Sequence, residues 1–434
     1  MDLSPIFDPR TYEKEVPYDL LAEARAATPV VRIPEAPMMG WPEGPGYWAV
    51  FRHRSVRKVL RDTERFSSAM GGTQIRDPDT PDDLAYVQRM MLNMDPPEHT
   101  RIRRLLTRSF TPSAVKSLEN GIIDRVTALV DGVMGRSEFD FVMDLAADLP
   151  VATLAQVMGV PEEDRYLLYD WSNRVIGYLD DEYAASDHFT PGAGASDMAR
   201  HAFALRPVPD AEGQLPNPRS RDGMPDLYGY ANSLAEYKRD NPGNDVMSIL
   251  LRAQDEDGAI TNEEFENLFW LFAVAGNETL RNGIPGGMMC LLQNPDAYRA
   301  LRNDPSVMDQ AVEEMLRYWP PVIHFRRTAT TDTEIDGVDI ARGDKVVVYH
   351  AAANRDPEAF DHPDVFDITR SPNDHVSFGF GAHFCLGAYL ARTQMQTIFT
   401  QLMTRLPQLE LAGTAERLTS NFQNGVKHLP VRVT

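Results

Sequence analysis

The sequence predicts a mainly α protein with small β-sheets, an α+β class in which helices dominate. Three observations carry this reading. Helical apolar spacing marks residues 17–27 and 120–180 and culminates in a long pattern at Phe265 to Leu292 that is apolar almost all round and therefore buried. Strand-like runs are few and short: Val30 to Ile33, Tyr47 to Phe51, and an alternating stretch from Ile335 to Tyr349. Near the C-terminus a glycine-rich stretch, Phe378-Gly379-Phe380-Gly381-Ala382-His383-Phe384-Cys385-Leu386-Gly387, reads as a tight loop feeding a helix over Leu386 to Phe399.

Composition narrows the function classes. The 434 residues are 43% hydrophobic, enough for a sizeable core. With 43 basic and 64 acidic side chains the formal charge is −21, which argues against general binding to nucleic acid or to anionic membrane. The two cysteines, Cys290 and Cys385, stand far apart and indicate no disulfide framework. Cys290 lies in an apolar helical run and reads as a packed core residue. Residues 1–14 carry no basic-then-apolar signal, and no apolar run approaches membrane-spanning length. The expectation is a cytoplasmic monomer without a membrane span.

Residues 17–27 form a first amphipathic pattern ended by Thr28-Pro29, and His53 to Asp62 a short basic helix. Phe66 to Asp83 is polar and rich in Gly, Asp and Pro, with Ile75 its isolated apolar residue. Asp95-Pro96-Pro97-Glu98 opens a helix with prolines and acids in its first turn. On it His99 and Arg103 share one face at i and i+4, while Arg101, Arg104 and Arg108 share another and make a local basic patch. Residues 120–180 read as several helices. From about 180 to 225, six prolines break any regular element, and the stretch is expected to be irregular. Thr261-Asn262-Glu263-Glu264 is a capping box that starts the long helix. Pro285-Gly286-Gly287 leaves open whether that helix runs straight past it. Glu314 and Arg317, at i and i+3, sit in a helix ended by Trp319-Pro320-Pro321. Ser420 to Lys427 reads as a turn between strands.

The Cys385 loop is the most specific signal. A thiolate held by backbone donors ahead of a helix N-terminus, with Phe378 as an aromatic wall, suits a soft metal ligand. The stretch resembles the haem-binding loop of the cytochrome P-450 monooxygenases, Phe-Gly-x-Gly-x-His/Arg-x-Cys-x-Gly, and matches it at every fixed position. Ala275-Gly276-Asn277-Glu278-Thr279 is similar to the family's oxygen-activation motif. The resemblance spans about Tyr12 to Thr434, apart from an insertion at about 180–225, which would be either a lid or disordered decoration.

What the resemblance implies is the following. The fold would be one domain over 1–434, a triangular helical body with a long central helix over a haem b. Cys385 would be the axial ligand of the iron. Glu278 and Thr279 would manage protons, with Gly276 letting the helix open locally and Ala275 beside it. His99, Arg103, Arg327 and His383 would hold the haem propionates, with adjacent Arg326 a possible substitute for Arg327. Glu314 and Arg317, about 70 residues before Cys385, would brace the Cys loop. Ile75, Val322, Ile323 and Phe422 would shape an apolar substrate cavity. The activity would be insertion of one atom of O2 into a C–H bond of a steroid, terpenoid or branched lipid. Electrons from NAD(P)H would arrive through a separate ferredoxin and ferredoxin reductase, because no flavin or iron–sulfur motif is present. The alternatives are a peroxide-driven haem peroxygenase and a non-catalytic haem-thiolate ligand-binding protein.

Overall fold

The computed structural model describes residues 1–186, 194–211, 215–255 and 258–434. They fall into two compact units, one made of 1–76, 119–149 and 279–434, the other of 77–118 and 150–278.

The first unit is built on a five-stranded sheet in the order Val30–Ile33, Tyr47–Val50, Lys345–Tyr349, His324–Ala329, Phe66–Ser67. Its inner strand, Lys345–Tyr349, is buried along its whole length. It pairs parallel with Tyr47–Val50 and antiparallel with His324–Ala329. Alternation does the sorting: Val347 and Tyr349 enter one hydrophobic cluster with Ile33, Tyr47 and Ala49, while Val346 and Val348 enter another with Val30, Val50 and Val56. A three-stranded antiparallel sheet joins Leu409–Leu411, Pro430–Val433 and Glu138–Asp140. The expected strands at Val30–Ile33 and Tyr47–Phe51 are present within a residue, and Phe66–Ser67, read from sequence as loop, adds the edge strand.

The second unit is helical, and among its described residues the only strands are the short pair Gln254–Asp255 and Gly258–Ala259. The stretch expected to be irregular carries two helices, Asp181–Ala185 and Asp197–Ala204, each capped by a side chain, Asp180 and Ser196. These caps satisfy amide donors in the first turn of each helix, Glu182 N and Tyr183 N in one and Ala199 N in the other. Residues 217–221 are tied down as well: Asn217 Nδ2 donates to Asp79 at 3.0 Å, and Arg221 pairs with Glu266 at 2.6 Å while stacking over Tyr86 and Tyr228. Residues 187–193 and 212–214 of the expected lid lie outside the described residues.

The long helix runs unbroken over Asn262–Gln293. Its capping box is formed in both directions, Glu264 N to Thr261 Oγ1 at 3.1 Å and Thr261 N to Glu264 Oε2 at 2.8 Å. Pro285 stands inside it, a substitution that ordinarily costs about 3 kcal/mol. Packing explains why the neighbouring glycines are kept: a Cβ at Gly286 would lie 2.1 Å from the Trp319 ring, and one at Gly287 2.9 Å from Met315 and Phe399. The glycines let other elements close onto the helix and do not interrupt it.

Candidate active site

The glycine loop is closed by its own backbone. Cys385 N donates to Phe378 O at 2.8 Å, Gly379 N to Val376 O at 2.8 Å, and Phe384 N to Gly381 O at 3.1 Å. Gly379 and Gly381 adopt φ of +71° and +74°, which L side chains rarely do. Gly381 is also a close approach, since a Cβ there would lie 2.7 Å from Leu60 O. Gly387, by contrast, has φ of −87° and nothing within 4 Å of the Cβ it lacks, so neither a left-handed turn nor a close approach requires glycine there. The following helix starts at Ala388, two residues later than expected, and runs to Arg405. Cys385 is exposed, and Phe378 packs near Phe384 and under the Arg392 guanidinium.

Behind the loop lies a buried ionic knot. Arg317 pairs with Glu314 at 2.7 Å and donates to the carbonyls of Asn354, Pro363 and Val365. Glu314 also accepts from Asp367 N, Arg370 and Asn373. Asn354 then bonds Ser377 Oγ at 2.7 Å and Val376 N at 2.8 Å, immediately before Phe378. Arg370, Asn373 and Asn354 were not legible from sequence, because they lie 37 to 59 residues from the Glu314 or Arg317 that each contacts.

The basic candidates distribute over both units. In the first, Arg327 is 4% exposed with Nη1 on Arg326 O at 2.8 Å, and His383 Nε2 is 3.2 Å from Ser68 Oγ. Arg326, the possible substitute, is engaged elsewhere: it reaches Ile75 O at 3.3 Å and lies where a Cβ on Gly71 would be. In the second unit, His99 is buried and Arg103 half-buried on Glu98–Thr107. The basic patch is smaller than expected. Arg101 is paired with Glu264 and, at 3.5 Å, with Glu98, leaving Arg104 and Arg108 as its exposed members.

The motif in the long helix divides by exposure. Ala275 and Gly276 are exposed and Thr279 half-buried, whereas Asn277 and Glu278 are completely buried. Leu268 and Phe272, earlier on the same helix, are buried as well. The local opening expected at Gly276 does not occur, because the helix is continuous there. A Cβ at Gly276 would instead lie 2.8 Å from Leu154. Glu278 Oε2 accepts from Ser172 Oγ at 3.1 Å, a partner that no local signal identifies.

Of the apolar candidates, Ile75 and Ile323 sit in one buried cluster of the first unit. Val322 is 7% exposed and bridges to Gln423, and Phe422 packs edge-on to His324 and Phe325.

The chain matches the cytochrome P450 family model over residues 230–429. It is 35% identical to the steroid C26-monooxygenase of Rhodococcus jostii, over 98% of this chain and 83% of that one. It is also 35% identical to the linalool 8-monooxygenase of Pseudomonas putida, over 99% of both. The chain belongs to the cytochrome P450 family. Among solved structures, a Mycobacterium marinum cytochrome P450 in complex with pseudoionone superposes with a TM-score of 0.83 at 33% identity, covering 98% of this chain and 97% of that one. The present P450 is a monooxygenase of the bacterial type, similar to sterol and terpenoid hydroxylases, and P450 chemistry uses haem and O2. Among the described residues no helix is long and apolar enough to cross a membrane.

The residues present fit a haem. Cys385 offers an exposed thiol on a loop whose backbone is fixed, while burial pushes the Cys290 thiol up to about 12, where it stays protonated. Imidazole and guanidinium groups at His383 and Arg327 supply the donors that propionates require.

Proposed function

We propose that this P450 hydroxylates a steroid, terpenoid or methyl-branched lipid at an unactivated carbon. The observation that carries the reading is the kinship at 35% identity to both a steroid and a terpenoid monooxygenase over nearly the whole chain. The apolar character of Ile75, Val322, Ile323 and Phe422 supports it, since burial at about 25 cal/mol per Å2 favours a large hydrophobic ligand. No charged side chain among these candidates could pair with a substrate carboxylate.

When bound, haem b supplies the activation of O2 that lets one oxygen atom enter a C–H bond. Cys385 is the iron ligand, and the closed loop from Phe378 orients its sulfur. Glu314 and Arg317 hold the preceding segment in place. Arg327, His383, His99 and Arg103 neutralise propionates. Thr279 positions a water through its hydroxyl, and Glu278 moves a proton to it; Ala275, small and exposed, adds little bulk beside them. Electrons come from NAD(P)H through a ferredoxin and its reductase. The exposed Arg104 and Arg108, on a protein of charge −21, suit an acidic carrier.

The test is a spectral titration of the ferric protein with steroids, terpenoids and fatty acids, followed by product analysis. A steroid or terpenoid is expected to shift the spin state at low concentration and to be hydroxylated. Tight shifts with small polar aromatics alone would overturn the substrate class. Turnover with peroxide but not with NADH, ferredoxin and reductase would favour a peroxygenase instead.

A further inference from the structure

Two arginines from different helices each lie over one of the phenylalanines, Phe378 and Phe380, that open the Cys385 loop. The Arg392 guanidinium, from Ala388–Arg405, stands 4.4 Å from the centre of the Phe378 ring. The Arg57 guanidinium, from His53–Arg61, stands 4.3 Å from the centre of the Phe380 ring. Both distances are those of a cation held on an aromatic face. The first helix and the loop also meet through backbone: a Cβ on Gly381 would lie 2.7 Å from Leu60 O and 3.0 Å from Arg61 Cα. Phe380 itself packs against the cluster that holds Val56, Val59 and Leu60 of that helix.

The two arginines differ in what their charge meets. Glu313 accepts from Arg392 Nε at 2.5 Å and from its Nη2 at 2.8 Å, so that charge is cancelled where it stands. Arg57 pairs with no carboxylate among the described residues. A guanidinium does not lose its proton in proteins. The charge of Arg57 therefore persists, half-buried, against the loop that presents the sulfur.

We propose that Arg57 is a positioning residue for reduction of the haem iron: it clasps the Phe380 ring, and its uncompensated charge makes an iron bound at Cys385 easier to reduce. The inference rests on the reading of Cys385 as the iron ligand. One-electron reduction adds a negative charge at the iron, and a nearby cation stabilises the reduced form over the oxidised one. Arg392 contributes little to this, because Glu313 answers its charge. The stacking matters because it fixes where the charge sits. A planar guanidinium lies flat on the ring, whereas a side chain without that platform swings into water.

The test is the equilibrium reduction potential of the haem-loaded protein, measured with small-molecule mediators and no partner protein. Arg57→Gln is expected to lower the potential by the equivalent of about a two- to tenfold change in the reduction equilibrium, at most about 59 mV. Arg57→Lys keeps the charge and is expected to restore most of the loss. Because Arg57 is half-buried and not sealed from solvent, the gap between parent and Arg57→Gln should shrink with added salt, which a merely structural role would not produce. In a Phe380→Leu background Arg57→Gln is expected to do less, since the ring no longer holds the charge in place. An unchanged potential in Arg57→Gln overturns the proposal. So does an equal shift from Lys58→Gln, the exposed neighbour of the same charge on the same helix, or a full shift from Arg57→Gln in the Phe380→Leu background. The reading of Cys385 fails separately, if the reduced carbon-monoxide complex of the parent lacks a red-shifted Soret band.

Discussion

Arg317 and Glu314 face each other through two parallel hydrogen bonds, Nε to Oε2 at 2.7 Å and Nη2 to Oε1 at 2.8 Å, with neither side chain exposed. Two charges out of water are costly unless each remaining donor and acceptor is met. Here the surplus donors go to three carbonyls and the surplus acceptors to Asp367 N, Arg370 and Asn373. Arg317→Ala would take the bidentate partner from a buried carboxylate that keeps Arg370, Asn373 and Asp367 N, and would leave three carbonyls ahead of the Cys loop without this donor. The expected loss of stability is about 3–5 kcal/mol in denaturant unfolding, with haem occupancy falling in parallel. A loss below about 1 kcal/mol would mean the pair behaves as a surface pair.

Acid stability should report two buried imidazoles. Burial holds His324 and His350 neutral, lowering each to about 3, and neighbouring basic groups act in the same sense, His350 on His324 and Arg327 and His375 on His350. In the unfolded chain both titrate near 6.5. The folded values lie below the unfolded ones, so this stability is complete above pH 6.5 and is lost as pH falls from there toward 3. Each imidazole should contribute a slope of about 1.4 kcal/mol per pH unit in that window. His350→Gln should reduce the slope by one such increment in urea titrations at pH 6 and pH 5. An unchanged slope would place the acid response elsewhere.

Thr279→Ala should keep NADH oxidation while cutting product per NADH severalfold, because the hydroxyl that positions the proton-donating water is lost. The missing reducing equivalents should appear as hydrogen peroxide. Unchanged product per NADH would remove the hydroxyl from proton delivery.

How much of this was readable from sequence follows the range of the forces involved. The capping box at Thr261 and Glu264, the helix into which it leads, and the turn geometry of Gly379 and Gly381 depend on neighbours a few residues away, and all could be named in advance. Gly286 and Gly287 could be seen as unusual, but only the Trp319, Met315 and Phe399 side chains show why the helix continues through them. Arg101 shared a face with Arg104 and Arg108 by spacing, yet its ion pair with Glu264, 163 residues away, withdraws it from the exposed patch. Ser172 and Arg370 had no local pattern at all; each acquires its place from a distant carboxylate.

Electron delivery should depend on the remaining patch. Reversing the charge of Arg104 and Arg108 together should slow reduction by an acidic ferredoxin and flatten its salt dependence, because steering between exposed charges is screened by added salt. Equal rates and equal salt slopes would return both arginines to an ordinary solvated surface.

The central claim, that Cys385 is the thiolate ligand of the haem iron, is tested most directly by the Soret band of the reduced carbon-monoxide complex. The parent protein should show the strongly red-shifted band of a thiolate-ligated haem. Cys385→Ser should lose that band while retaining its fold by circular dichroism. Persistence of the red-shifted band in Cys385→Ser would contradict the assignment.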